Sequence, residues 1–403
     1  STPPSGPAPA PARRPSTSRL ARPVTGVALL FATNGAALAS LLPWYPTLKA
    51  QWGLGDLAFG LMVAAVAAGS LLSTFLPSLA VTRFGPRPVV FYGTVAVAVL
   101  LAAAGWAPNA VALAVVLAAI GLLDAVIDVS QNVAGVRVEA ASGRSILSSM
   151  HACWSLGAVA GGIGGTLAAS SGLDLRVHLA LVAAAIIATV AVGVWLTGPV
   201  PRGEPSASRA GVDKRVGVGR LMWLTLPVAL VATSGTMIED IANNWAGLAS
   251  VELVGVELGQ AGVAFTVVLA AQTIGRFTGD RLIDAFGRVA VARAGGSLIA
   301  AGGVLVMAAH TPAPLYVGFA LAGFGCATLV PSAFAAAARL PGVTEGAGVT
   351  AVSWLMRVGF LATSPVLGGL SAATDLRWAL GLIVVAGVVV TVLASALRES
   401  PGT

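Results

Sequence analysis

The chain has 403 residues, 57% of them hydrophobic and only 10% charged, with a formal net charge of +7. A water-soluble protein carries roughly 25% charged residues, so this surface is made for lipid and not for water. The basic residues gather at the ends of apolar segments, where membrane topology places them, and this excludes nucleic acid as a partner.

In chain order, residues 1–23 are rich in Pro, Ala and Ser and show no apolar periodicity, which predicts a disordered tail. Arg13, Arg14, Arg19 and Arg22 hold that tail in the cytoplasm. The first apolar segment, 24–48, is too long for a signal-peptide core and lacks a small-residue cleavage context, so it reads as a retained helix. Further segments at 57–82, 88–107, 109–135, 145–170 and 176–197 are long enough to span a bilayer. The polar stretch 198–219, with Arg202, Arg209, Lys214 and Arg215 among Pro, Ser and Gly, has the composition of a cytoplasmic linker. Six more segments follow at 220–248, 259–279, 289–310, 312–338, 347–372 and 375–397, and residues 398–403 form a short tail. Most of the 23 Lys and Arg fall on the side that holds both termini, against Lys49, Arg176 and Arg377 on the other. The positive-inside rule then sets both termini in the cytoplasm of a multi-pass protein of the cell membrane.

The sequence also repeats itself. Residues 275–288 read GRFTGDRLIDAFGR, a stretch crowded with charge between two apolar runs. Gly275 and Gly279 permit close helix approach. Gly279, Asp280, Arg281, Asp284, Gly287 and Arg288 form the expected cytoplasmic latch, with the four charges pairing across a tight turn. Half a chain earlier Phe84-Gly85 matches Phe286-Gly287, but Ser78 and Leu79 stand where Asp280 and Arg281 would be. A second pair, 149–165 and 351–369, begins near Trp154 and Trp354 and ends in Gly-Gly. Small residues at this spacing let helices pack closely in lipid. Such duplication predicts an all-α polytopic membrane protein: twelve transmembrane helices in two pseudo-symmetric six-helix bundles, 24–197 and 220–397.

Ionisable side chains inside spans cost roughly 2.5–3.5 kcal/mol on insertion scales, so they face a cavity or a partner. Asp124, Asp128 and Asn132 follow one another at i,i+4 on the fourth span and share one stripe. Adjacent like charges disfavour double ionisation, which suits proton exchange; the alternative is interhelical bonding that only fixes packing. The seventh span carries Glu239, Asp240, Asn243 and Asn244 before Trp245, with a break expected near Gly235. These residues either face the cavity or are solvated at its outer mouth. Arg357 lies about 15 Å into the eleventh span and either neutralises one of the acids or binds an anionic group of a solute. His151 is either a packed hydrogen-bonding residue or a proton relay near the fourth-span acids. Asn34, Gln131 and Trp154 complete the candidate cavity. Cys153 and Cys326 lie in apolar segments without a partner at metal-ligand spacing, so neither metal nor cofactor is expected.

On these motifs residues 24–397 resemble a permease of the major facilitator superfamily. Residues 121–165, with Asp128, Asn132 and Glu139 and then Ser149-Met150-His151-Ala152, together with Glu239 to Trp245, resemble an uncharacterised bacterial inner-membrane branch related to the fucose and glucose permeases. The resemblance implies alternating-access transport of a small polar or ionisable solute, with a fourth-helix acid, Asp124 or Asp128, coupling it to protons. The related sugar permeases usually supply another acid from the first helix, where this chain has only Asn34. Efflux as a drug/proton antiporter is the competing transporter reading, though Gly157 to Gly165 lacks the proline of that signature. A non-transporting sensor on a permease fold is the reading from another class. Ser149 and His151, two apart on a helix, make no nucleophile–base pair. No phosphate-binding Gly-Lys-Ser/Thr motif occurs, so neither an enzyme nor an ATP-driven pump is expected. A monomer in the bilayer, with protons and a small molecule as its partners, completes the expectation.

Overall fold

The computed structural model describes residues 17–73, 76–142, 146–199, 218–340 and 345–398. Residues 1–16 of the predicted tail, 200–217 of the predicted linker and 399–403 lie outside the described residues. The spans are α1 (Thr17–Ala39), α2 (Asp56–Leu72, continued by Leu76–Phe84), α3 (Pro86–Ala104), α4 (Ala110–Ser142), α5 (Leu147–Ser170) and α6 (Leu175–Thr197). In the second half they are α7 (Val218–Asn244), α8 (Gly262–Phe286), α9 (Arg288–Ala308), α10 (Pro312–Cys326, continued by Leu329–Ala337), α11 (Glu345–Ala373) and α12 (Leu376–Ala379, continued by Leu382–Leu393). Among the described residues, eleven helices are long and apolar enough to cross a membrane, and there are twelve when the two parts of α2, bent by 55°, count as one.

The two halves pack by one scheme. In the first, α1 lies against α5 and α6, α2 against α4, and α3 against α4 and α6. In the second, α7 lies against α11 and α12, α8 against α10, and α9 against α10 and α12. Each pair is its counterpart's equivalent six spans on. The turns repeat as well: Gly85 has φ 81° and ψ 161°, and Gly287 has φ 80° and ψ 156°. A side chain would strain both turns, which is why glycine closes them. Pro86 then starts α3, using the first-turn position where its missing N–H costs nothing.

Small residues set the helix spacing, as lipid-embedded bundles require. A Cβ on Gly157 would overlap the carbonyl oxygen of Ala32, so α5 rests directly on the backbone of α1. Gly302 and Gly318 play the same part between α9 and α10.

Two expectations are corrected. The charged stretch 275–288 is not a turn: α8 stays helical through Phe286, and Gly287 alone makes the reversal. Its glycines fit inside a helix because Gly275 faces Phe324 and Ala327 of α10, and Gly279 faces Thr328. The seventh span breaks at Trp245 and not near Gly235. Gly235 sits against Leu329 and Val330 of α10, where it serves close packing without interrupting the helix.

Candidate functional site

The polar residues of the spans form linked groups around the interface of the two halves. In the first half, Trp154 on α5 donates its indole N–H to Asn34 Oδ1 at 2.7 Å, and Asn34 Nδ2 donates to Asp124 Oδ1 at 2.7 Å. One asparagine thus ties α1, α4 and α5 together. One turn along α4, Asp128 accepts from Asn132 Nδ2 at 3.1 Å and from Gln131 Nε2 at 3.3 Å. His151, edge-on to Phe31 with ring centroids 5.3 Å apart, lies within electrostatic reach of Asp128.

In the second half, Glu239 Oε1 accepts from Gln272 Nε2 at 2.5 Å and from Arg276 at 2.6 Å, both donors from α8. Asp240, one residue on, is buried and points elsewhere. It accepts from Asn244 Nδ2 at 2.8 Å and from the hydroxyl of Ser364 on α11. Trp245 Nε1 donates to the same hydroxyl oxygen at 3.0 Å. Asp240 is therefore a bonded interior carboxyl, not a group solvated at an outer mouth. Asn243 is half-buried and makes no side-chain hydrogen bond among the described residues.

At the end of the molecule where α1 and α11 finish and α2 begins, the halves are joined by charge. Lys49 Nζ reaches Asp56 at 2.6 Å and Glu252 at 2.5 Å, and the Ser371 hydroxyl donates to Asp56. Trp245 is fully buried beneath this cluster, against Phe59 and Gly60 of the other half. Gly262 beside Pro43 and Thr166, and Gly368 beside Asp56, close the same end on either flank. Toward the opposite end Asp128, His151, Arg276 and Arg357 are exposed. Every contact between the halves named here lies at the first end, so the molecule is closed there and open toward the other, where exposed ionisable groups of both halves lie within electrostatic reach of one another.

The latch residues sit near the open end. Gly279 is buried, while Asp280, Arg281 and Asp284 are exposed and form no ion pair among the described residues. Arg276 was expected among the charges of that turn; the structure places it in the cavity beside Glu239. The sequence reading also missed Lys49, Asp56, Ser364 and Gln272. The last was legible in principle, since Gln272 and Arg276 stand i,i+4 on one helical face. Cys326 is buried and contacts Gln272 at 3.6 Å. No group of three or more potential metal ligands occurs among the described residues.

The family profile of the Major Facilitator Superfamily matches residues 229–403. An uncharacterised MFS-type transporter of Yersinia pestis is 29% identical over 371 residues, which cover 91% of this chain and 93% of that protein. Membrane protein MosC of Rhizobium meliloti is 30% identical over 375 residues, covering 91% and 88% respectively. The chain belongs to the major facilitator superfamily. A crystal structure of a bacterial homolog of the human lysosomal transporter Spinster, in an inward-facing and occupied conformation, shares the fold. Its TM-score is 0.72 at 14% identity, over 96% of this chain and 100% of that one. This superfamily member is accordingly a multi-pass secondary transporter.

Proposed function

We propose that this superfamily member moves a small polar or ionisable solute across the cytoplasmic membrane by alternating access, coupled to protons and working as a monomer. The two halves, 24–197 and 220–397, rock about the interface between them. With the basic ends turned to the cytoplasm, the sealed end faces outward and the conformer described above is open inward. The observation that carries the reading is the placement of Asp128. It is an exposed mid-span carboxyl with His151 of its own half and Arg357 of the other half both within electrostatic reach.

In this reading Asp128 carries the proton. Asp124, held by Asn34, links proton occupancy to the relative position of α1 and α5 through Trp154. Asp240 links α7 to α11 just beneath the outer seal. The test is transport by purified protein in sealed vesicles with an imposed pH gradient. The expected result is uphill accumulation of a solute from a metabolite panel, abolished by a protonophore. Accumulation that persists when the pH gradient is collapsed would sink proton coupling, and no movement of any solute would sink the transporter reading.

A further inference from the structure

Among the described residues, Arg357 is set apart from the mid-span acids and from Arg276. Asp124 is bonded to Asn34, Asp128 to Gln131 and Asn132, Asp240 to Ser364 and Asn244, and Glu239 to Gln272 and Arg276. Arg357 makes no hydrogen bond or ion pair among the described residues. A guanidinium does not shed its proton, and five donors are left without an acceptor. Its direction follows from the helix. Ser364 stands two turns further along α11, on the same face, and points into the interface with α7. Arg357 is exposed, and its field reaches Asp128 of the other half, which sets it on the side of α11 turned toward the first half. No ion pair joins the two, so this acid does not neutralise it in the open conformer.

We infer that Arg357 is the anion-recognising residue of the transport site, and that the solute is an organic anion bearing a carboxylate or a phosphate monoester. The inference rests on the transporter reading above. The planar fork of the guanidinium matches either group in a bidentate geometry that an ammonium does not reproduce. Arg276 is also exposed, but Glu239 already occupies it, which leaves Arg357 without a counter-ion among the described residues. Asp128 is a positioning residue: its negative charge across the cavity opposes entry of an anion. A proton on Asp128 removes that opposition, so one proton and one anionic group cross together.

The test is binding to purified protein, read by thermal shift and titration calorimetry. The probes are a panel of hydroxy acids, amino acids and phosphate monoesters, each run beside its neutral amide or dephosphorylated analogue, with inorganic phosphate and chloride alongside. The expected result is binding of at least one organic anion and not of its neutral analogue. Arg357→Gln should weaken that binding at least about tenfold, with Arg357→Lys restoring it only in part. Asp128→Asn should strengthen it by about threefold or more, a change that a merely structural role for either residue would not give. Equal binding of the neutral analogues, binding of inorganic ions alone, or unchanged affinity in Arg357→Gln overturns the inference. Transport of a neutral solute in vesicles also overturns it while leaving the transporter reading intact.

Discussion

Trp245 and Phe59 meet edge-on across the two halves of the molecule, with ring centroids 5.2 Å apart and planes at 90°. The contact sits at the joint between two helices. The seventh span ends at Asn244 and a short helix begins at Ala246; Trp245 between them keeps its backbone N–H on the Ile241 carbonyl, and its indole N–H donates to Ser364. The ring fills the space left by Gly60, where a larger residue would collide with Ser364. One side chain thus connects the bonded carboxyl of Asp240, through their shared partner Ser364, to the seal between the halves.

Trp245→Ala should therefore open the sealed end. An aromatic pair of this kind contributes about 0.5–1.5 kcal/mol beyond its buried area, so the population facing outward should rise by roughly twofold or more. Labelling of a cysteine placed at Leu367, buried on α11 between Ser364 and Ser371, from either side of the membrane, reports the shift while Phe59 stays in place. Unchanged labelling at normal expression would mean that the charge cluster alone holds the seal.

That cluster makes a separate prediction. Lys49 bridges Asp56 of its own half and Glu252 of the other. Lys49→Ala and Glu252→Ala should each favour the outward-open state, and the double variant should do little more than either alone. A coupling of about 1 kcal/mol is expected for a partly buried pair. Additive effects in that cycle would show that the pair does not act as a unit.

Close packing sets the third expectation. Gly157 lies against the backbone of α1, so Gly157→Val should push α5 away from α1 and strain the Trp154–Asn34–Asp124 link. Overpacking costs about 1–3 kcal/mol. Thermal unfolding in detergent should register that loss, and Gly164→Val, at a site with open space, is the control. Equal melting of both variants would show that helix contact at Gly157 is not limiting.

Much of this architecture was legible because lipid leaves a strong signature. Apolar runs of span length, basic ends and the paired Phe84-Gly85 and Phe286-Gly287 turns gave span number and duplication before any contact was known. Asp124 and Asp128 stood out by their i,i+4 spacing; Asp124 is tied to Asn34 within its own half, and Asp128 has Arg357 of the other half in electrostatic reach. The partners of the acids were not legible. Ser364 and Gln272 are ordinary polar residues whose roles arise only when α11 meets α7 and when α8 meets α7. Lys49, Asp56 and Glu252 belong to three separate segments, and nothing local marks them as a seal. The stretch 275–288 misled because dense charge with glycine suggests a turn, whereas those glycines serve contact with α10 and the helix runs on.

The expected latch yields a fourth prediction. Asp280, Arg281 and Asp284 are exposed and unpaired among the described residues in a conformer whose nearby end is open. If they pair only when that end closes, Asp280→Ala leaves the conformer seen here untouched and destabilises the other. A surface pair is worth about 0–1 kcal/mol, so the inward-open population should rise by up to about fivefold. Accessibility of a cysteine at Val136 measures it, and an unchanged value removes the argument for a latch.

The last prediction separates proton coupling from solute passage. Asp128 is exposed in the cavity, bonded only through Gln131 and Asn132 of its own helix, with His151 and Arg357 in electrostatic reach. Among the described residues no hydrogen bond or ion pair from the opposite half reaches it, so its charge is free to bias which end is open as protons bind and leave. Asparagine at this position is uncharged at every pH and keeps the hydrogen-bonding shape. Asp128→Asn should therefore lose pH-driven accumulation while still exchanging solute down its gradient. Asp124→Asn differs, because it alters a carboxyl already tied to Asn34 and, through it, to Trp154; it should slow exchange and accumulation together. Vesicle assays of both modes on both variants decide between the roles. If Asp128→Asn still concentrates solute in a pH-dependent way, Asp128 is structural, and the proton-carrying role passes to Glu239 and Asp240 on α7.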